Sequence, residues 1–189
     1  MIQIKIFSPF KIFFKFERVF KFNAMIKELL ISEFLEEAEN TRRVLQAIPD
    51  SALGWKSSEK NWSTAELASH VATIYAWYPE VLLSDAFELS DFKYERENHS
   101  ASENILKKFE ENFSLAKEAF EKLDENKLNT LWTMTMKEKV LIPPTPKYNI
   151  IRTTLFNHLY HHRGELIVYL RATDNKVPGF YGPTADDKF

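Results

Sequence analysis

An all-α domain, a four-helix bundle with a long crossover before the last helix, is the fold this sequence predicts. Three observations predict it. Four stretches carry apolar residues at helical spacing, a run holding three prolines separates the third stretch from the fourth, and 189 residues suffice for one continuous core. With 44% hydrophobic and 28% charged residues, the chain has the composition of an ordinary globular domain.

The first helix is expected from Met25 to about Ala47, where Leu30, Phe34, Ala38 and Leu45 recur among glutamates and arginines until Ile48-Pro49-Asp50 stops the pattern. After a polar, turn-rich segment, Ser63-Thr64-Ala65-Glu66 reads as a capping box. It opens a second helix through Leu67, Val71, Ile74, Tyr78, Val81 and Leu82, which Pro79 kinks or shortens. Ser100-Ala101-Ser102-Glu103 reads as another capping box, before a third helix whose Phe109, Phe113, Ala116, Phe120 and Leu123 alternate steps of four and three.

Between Leu131 and Pro146 the alternation at Thr133 to Met136 is weak, and Pro143, Pro144 and Pro146 oppose regular structure. An irregular crossover with at most a short strand is expected there. Thr145-Pro146 suits an N-cap followed by proline in the first turn of a fourth helix that extends to about Arg171. The tail Val177-Pro178-Gly179-Phe180-Tyr181-Gly182-Pro183 is turn-rich, with two exposed aromatics expected.

Residues 1–24 stand apart. They hold seven of the 16 phenylalanines and a local charge of +4, which leaves −6 for the rest of the chain. The lysines interrupt any signal-peptide core, and no window reaches transmembrane length, so stable membrane insertion is not expected. Two readings stay open for this stretch. It is an amphipathic Phe/Lys-rich arm that touches a membrane or partner, or a non-native extension upstream of a start at Met25, with the domain proper at 25–189.

A net charge of −2 and a pI near 6.2 argue against a nucleic-acid partner. The absence of cysteine removes disulfides, zinc–thiolate sites and a cysteine nucleophile, and leaves any metal to His, Asp and Glu. No feature demands secretion, so a cytoplasmic location is expected.

Three of the five histidines fall within Asn157-His158-Leu159-Tyr160-His161-His162-Arg163-Gly164-Glu165. At about 100° per residue, His162 lies about 40° from His158, within the arc of Leu166 and Tyr169, and His161 falls at its edge. Two imidazoles at i and i+4 can face one metal ion, and they need a third ligand from elsewhere. His70 borders the apolar stripe of the second helix and is the candidate. The plainer alternative is three hydrogen-bonded core histidines without metal. No His-Glu-x-x-His is present, so the built-in base of a metalloprotease is missing. Glu165, near both inward histidines, is a fourth ligand, an acceptor for an imidazole N–H, a general base, or simply the partner of Arg163 or Arg171 in a salt bridge. Trp62, Trp77 and Tyr160 are read as core or pocket lining, Tyr181 as a further pocket wall, and His99 as solvated.

Asn61-Trp62-Ser63 with Glu66-Leu67-Ala68-Ser69-His70-Val71-Ala72, Asn157-His158, His161-His162-Arg163-Gly164-Glu165-Leu166, Tyr169-Leu170-Arg171 and the Val177 to Pro183 tail together resemble the DinB-like (DNA-damage-inducible, YfiT-related) superfamily. The resemblance covers roughly Met25 to Asp187. It implies a four-helix bundle, often dimeric, with zinc or nickel held by His70, His158 and His162. It also implies, for characterised relatives, thiol-dependent transfer with a low-molecular-weight thiol. Glu165 departs from the glutamine that many relatives carry. Two functions follow as expectations: activation of a small thiol for transfer, or of water for hydrolysis, at the three-histidine site; and, from another class, a metal-binding stress-response or scaffold protein without turnover.

Overall fold

The structure, a computed structural model, describes residues 9–92 and 101–187, with residues 9–23 as backbone only. His99 lies outside them. The molecule is mostly helical, with four long helical stretches and one small sheet.

Helix α1 runs from Pro9 to Gln46 without a break at Met25. A change of composition is not a helix boundary, and proline is well placed at the first helical position, where its missing N–H costs nothing. The expected core face of α1 is buried at Leu30, Phe34, Ala38 and Leu45. Its continuation past Gln46 ends at Pro49, which precedes a single 3-10 turn at Asp50–Ala52.

Helix α2 spans Thr64–Ile74 and begins as its sequence dictates: the Ser63 hydroxyl accepts from the Glu66 N–H at 3.2 Å and the Glu66 carboxylate accepts from the Ser63 N–H at 2.8 Å. Two otherwise orphaned donors are satisfied, worth roughly 1 kcal/mol. A 3-10 turn at Tyr75–Trp77 tightens the helix before α3, Tyr78–Leu83, which carries Pro79 in its first turn. Proline therefore interrupts the helix one turn upstream of itself, where the missing N–H bond falls.

Helix α4, Ser102–Lys122, presents the expected seam, with Phe109, Ala116 and Phe120 buried. Ser100, the cap read at its start, lies outside the described residues. Ala101 occupies the N-cap, and the Ser102 N–H and hydroxyl donate to the Asp50 carboxylate at 2.8 and 2.7 Å. A carboxylate brought from 52 residues upstream thus takes up donors of the first turn.

The region read as an irregular crossover is a sheet. Strand β1, Ala86–Glu88, pairs in parallel with β2, Leu131–Met136, which pairs antiparallel with β3, Lys139–Pro146. The prolines are compatible because β3 is an edge strand, where one row of backbone donors has no ladder to serve. The two-residue turn has positive φ at Lys137 (47°) and Glu138 (67°), the twist that suits a tight hairpin. The β2 side chains Trp132 and Met134 are buried, and the Trp132 indole donates to the Glu80 carbonyl at 3.1 Å, which ties the sheet to α3.

Pro146 pairs with Leu131 at the end of β3, so it stands at the N-cap rather than inside the first turn; the Thr145 hydroxyl donates to the Pro143 carbonyl instead of capping. The last helical stretch then runs as α5, Lys147–Ile150, a π-helical segment at Ile151–Asn157, and α6, His158–Ala172. Phe34 sits at the centre of the core, its ring 5.0 Å from Tyr78, 5.5 Å from Phe113 and 4.8 Å from Phe120. Each such fully buried side chain contributes about 1.5–3 kcal/mol. Among the described residues no helix is long and apolar enough to cross a membrane.

Candidate metal centre

α2 and α6 pack against each other, and this contact brings His70 to His158 and His162. The three ring centroids lie 4.7–5.0 Å apart, and one ligand nitrogen from each falls within 4.8 Å of the others. The three could hold a metal ion. His70 Nε2 and His158 Nε2 are 3.2 Å apart. Two nitrogens on one tetrahedral zinc, each at about 2.05 Å, stand roughly 3.3 Å from one another, so the spacing already matches shared coordination.

The far side of each α6 imidazole is held by the chain. His158 Nδ1 lies 3.3 Å from the Thr154 carbonyl, which can only accept, so that nitrogen carries the proton and Nε2 keeps its lone pair. His162 Nδ1 lies 2.7 Å from a Glu165 carboxylate oxygen, which accepts from it. Thr154 belongs to the π-helical segment immediately before α6. Such segments interrupt the regular ladder and often occur at functional sites. Burial lowers the pKa of His70 to about 4, with the neighbouring His162 and His158 adding to the effect. Burial, and then His162, also lowers that of His158. Both rings are thus neutral, metal-competent bases at pH 7.

Two indoles flank the cluster. Trp62 lies 4.9 Å from the His70 ring and 5.7 Å from His162, and is 47% exposed, so it stands at the solvent side. Its segment is anchored by Tyr169, whose hydroxyl donates to the Trp62 carbonyl at 3.2 Å. Trp77 lies 5.5 Å from His158 and 5.9 Å from His70.

Glu165 does not pair with Arg163 or Arg171, as one sequence reading had it. It serves His162, with the exposed His161 Nε2 3.6 Å away, while Arg171 pairs with Asp186. Tyr160 and Tyr181 are placed in a different cluster. The Tyr160 hydroxyl donates to Glu33 at 2.6 Å, and that of Tyr181 donates to Glu37 at 2.8 Å. Arg163, almost fully buried, donates to the Glu37 carboxylate and carbonyl, to the Thr41 hydroxyl and to the Tyr181 hydroxyl. Sequence reasoning passed over this buried pair. The available signal was position: Arg163 interrupts the stripe Leu159, Leu166, Leu170, all fully buried.

Residues 21–188 match the model of the DinB family. Among curated proteins, an uncharacterized Bacillus subtilis protein, YrdA, is 24% identical over 153 residues, which cover 80% of this chain and 85% of the relative. A DinB-like protein from Bacillus cereus superposes with a TM-score of 0.62 at 21% identity, covering 82% of this chain and 97% of that one. A DinB-like protein of Bacillus subtilis, YjoA, gives 0.63 at 20% identity, with 81% and 97% covered. At these identities the structural likeness speaks for the fold.

Proposed function

The chain belongs to the DinB family, and from that premise we propose that it is a metal-dependent thiol S-transferase whose zinc or nickel ion is held by His70, His158 and His162. The observation that carries this reading is the 3.2 Å approach of His70 Nε2 to His158 Nε2, with both α6 imidazoles pinned through Nδ1. A divalent ion in such a site lowers the pKa of a thiol or water bound to it, so the nucleophile ionises near neutral pH. The chain's own part is to keep three imidazole nitrogens converged, to orient His162 through Glu165, and to shield one side with Trp77 while Trp62 borders the approach from solvent. Glu165, whose carboxylate lies 2.7 Å from His162 Nδ1, is the group assigned in this reading to take up a proton as the nucleophile forms.

The reading without turnover, a metal-binding stress-response or scaffold protein, asks for Glu165 as a fourth ligand that closes the site. Its bond to His162 Nδ1 favours an open position instead. Hydrolysis at the same site remains the sibling chemistry. The four helical stretches pack in a closed ring, α1 on α4, α4 on α2, α2 on α6 and α6 on α1, which supports a four-helix bundle with the sheet in its long connection. A cytoplasmic homodimer, with residues 1–24 as an extension of the 25–189 domain, completes the proposal.

The test is elemental analysis of protein purified without a histidine tag, followed by conjugation of a small thiol to a model electrophile. One equivalent of zinc or nickel and a rate that depends on it are expected, with both lost in His158→Ala. Equal rates with and without metal would refute the transferase reading.

A further inference from the structure

The Trp77 indole N–H is shielded from solvent and has no hydrogen-bond partner among the protein groups described. A buried donor left unpaired costs on the order of 1–3 kcal/mol, and native structures rarely retain one unless a water, ion or ligand completes it. The fully buried Trp132 indole, by contrast, donates to the Glu80 carbonyl; the Tyr78 hydroxyl is the other buried side-chain group without a partner among the described residues. Trp77 differs in its surroundings. Its ring adjoins His158 at 5.5 Å and His70 at 5.9 Å, beside two of the three imidazoles whose nitrogens converge. His158 and His162 turn their Nδ1 atoms to Thr154 and Glu165, so the ring nitrogens left facing the cluster are the ones a metal ion would take.

We propose that Trp77 Nε1–H is the hydrogen-bond donor to a small anionic ligand seated at the position the three imidazoles leave open, so that the site selects ligands whose bound atom, or its neighbour, accepts a hydrogen bond. This rests on the metal reading above and adds the ligand class: thiolates and compact oxyanions or pseudohalides, rather than neutral amines. An amine nitrogen bound to a metal has spent its lone pair and offers the indole nothing. A bound thiolate or azide keeps lone pairs for it. Trp62, on the solvent side and 47% exposed, then lies where the remainder of a larger ligand leaves the site. An apolar or aromatic remainder suits its face.

The test uses the full chain loaded with cobalt(II), whose visible spectrum reports ligand exchange. Azide, 2-mercaptoethanol and imidazole are titrated into wild type and Trp77→Phe, which keeps an aromatic ring and removes the donor. Cobalt content is expected to be unchanged, azide and 2-mercaptoethanol to bind about tenfold or more weakly to the variant, and imidazole to bind both equally. Equal azide affinity in the two proteins overturns the proposal, as does an equal loss for imidazole, which would mark a general packing defect. In the unsubstituted zinc-loaded protein the nitrogen-15 indole resonance of Trp77 should move downfield on adding azide. This reading needs no variant, and an unmoved resonance also overturns the donor role. Wild-type protein that takes up no cobalt or zinc refutes the metal reading itself, and the donor role with it.

Discussion

The two sides of α6 carry polar clusters of opposite character. On one side His158 and His162 meet His70, and their outward nitrogens are tied down while the inward ones face each other. On the other side Arg163 meets Glu37, Thr41 and Tyr181, and each of these is satisfied within the protein. Tyr75 extends that second cluster by donating to Thr41 at 3.1 Å. Both clusters pay for desolvating polar groups. One recovers the cost internally through charge-assisted bonds and has nothing left to offer, while the other adjoins the Trp77 donor, which has no partner among the described residues. Incomplete satisfaction, more than polarity or burial, separates a binding site from a structural clamp.

The contrast predicts different consequences for substitutions on one helix. The largest is expected in the open cluster, where His158→Ala with His162→Ala should reduce bound metal from one equivalent to none by elemental analysis, without unfolding the protein. Arg163→Ala should do the reverse. Leaving Glu37 buried without its counter-charge should cost about 3–5 kcal/mol in urea unfolding, with metal affinity of the folded fraction retained. Replacing both Arg163 and Glu37 by Met and Leu should recover most of that loss, since a buried pair rarely exceeds a well-packed apolar substitute.

Glu165→Gln keeps an acceptor for His162 Nδ1 but removes the charge, so metal affinity should fall about tenfold in competition with a chelator, the lower end for an orienting partner. Tyr181→Phe removes one hydroxyl from the closed cluster and should cost about 1 kcal/mol, with no change in metal binding. The smallest effect is that of pH near neutrality. With its pKa lowered to about 4, His70 binds fewer protons folded than unfolded, so the metal-free protein should lose stability as pH falls through the unfolded value of about 6.5 toward 4. Between pH 7 and 6 the fall in Tm should be slight, and an apo protein whose Tm rises over that range would contradict the neutral-histidine assignment.

Legibility in the sequence followed the range of the interactions. The Ser63 capping box involves residues three apart, and it formed; at the start of α4 the Ser102 donors go to Asp50, a partner that no local spacing could announce. Spacing alone placed His158 and His162 on one face and put Leu30, Phe34, Phe109 and Phe120 in the core. The sheet escaped because its evidence is pairing. Three prolines read as breakers until β3 proved to be an edge strand, and three residues at Ala86–Glu88 are too few to show a period. Arg163 and Glu37 escaped because a lone charge on an apolar stripe has meaning only once its partner is known.

By itself, then, the sequence determined the helical periods, the first cap of α2, the inward pair on α6 and the absence of any thiol ligand, all of which depend on residues within two turns of one another or on composition. Only the tertiary structure decided that His70 lies against the pair on α6, which nitrogen of each α6 ring is turned to a partner, and that Arg163 on the same helix is paired with Glu37. Those outcomes depend on the docking of α2 and α1 against α6, where hydrogen-bond partners come from more than 80 residues away in the chain and desolvation sets which groups must be paired.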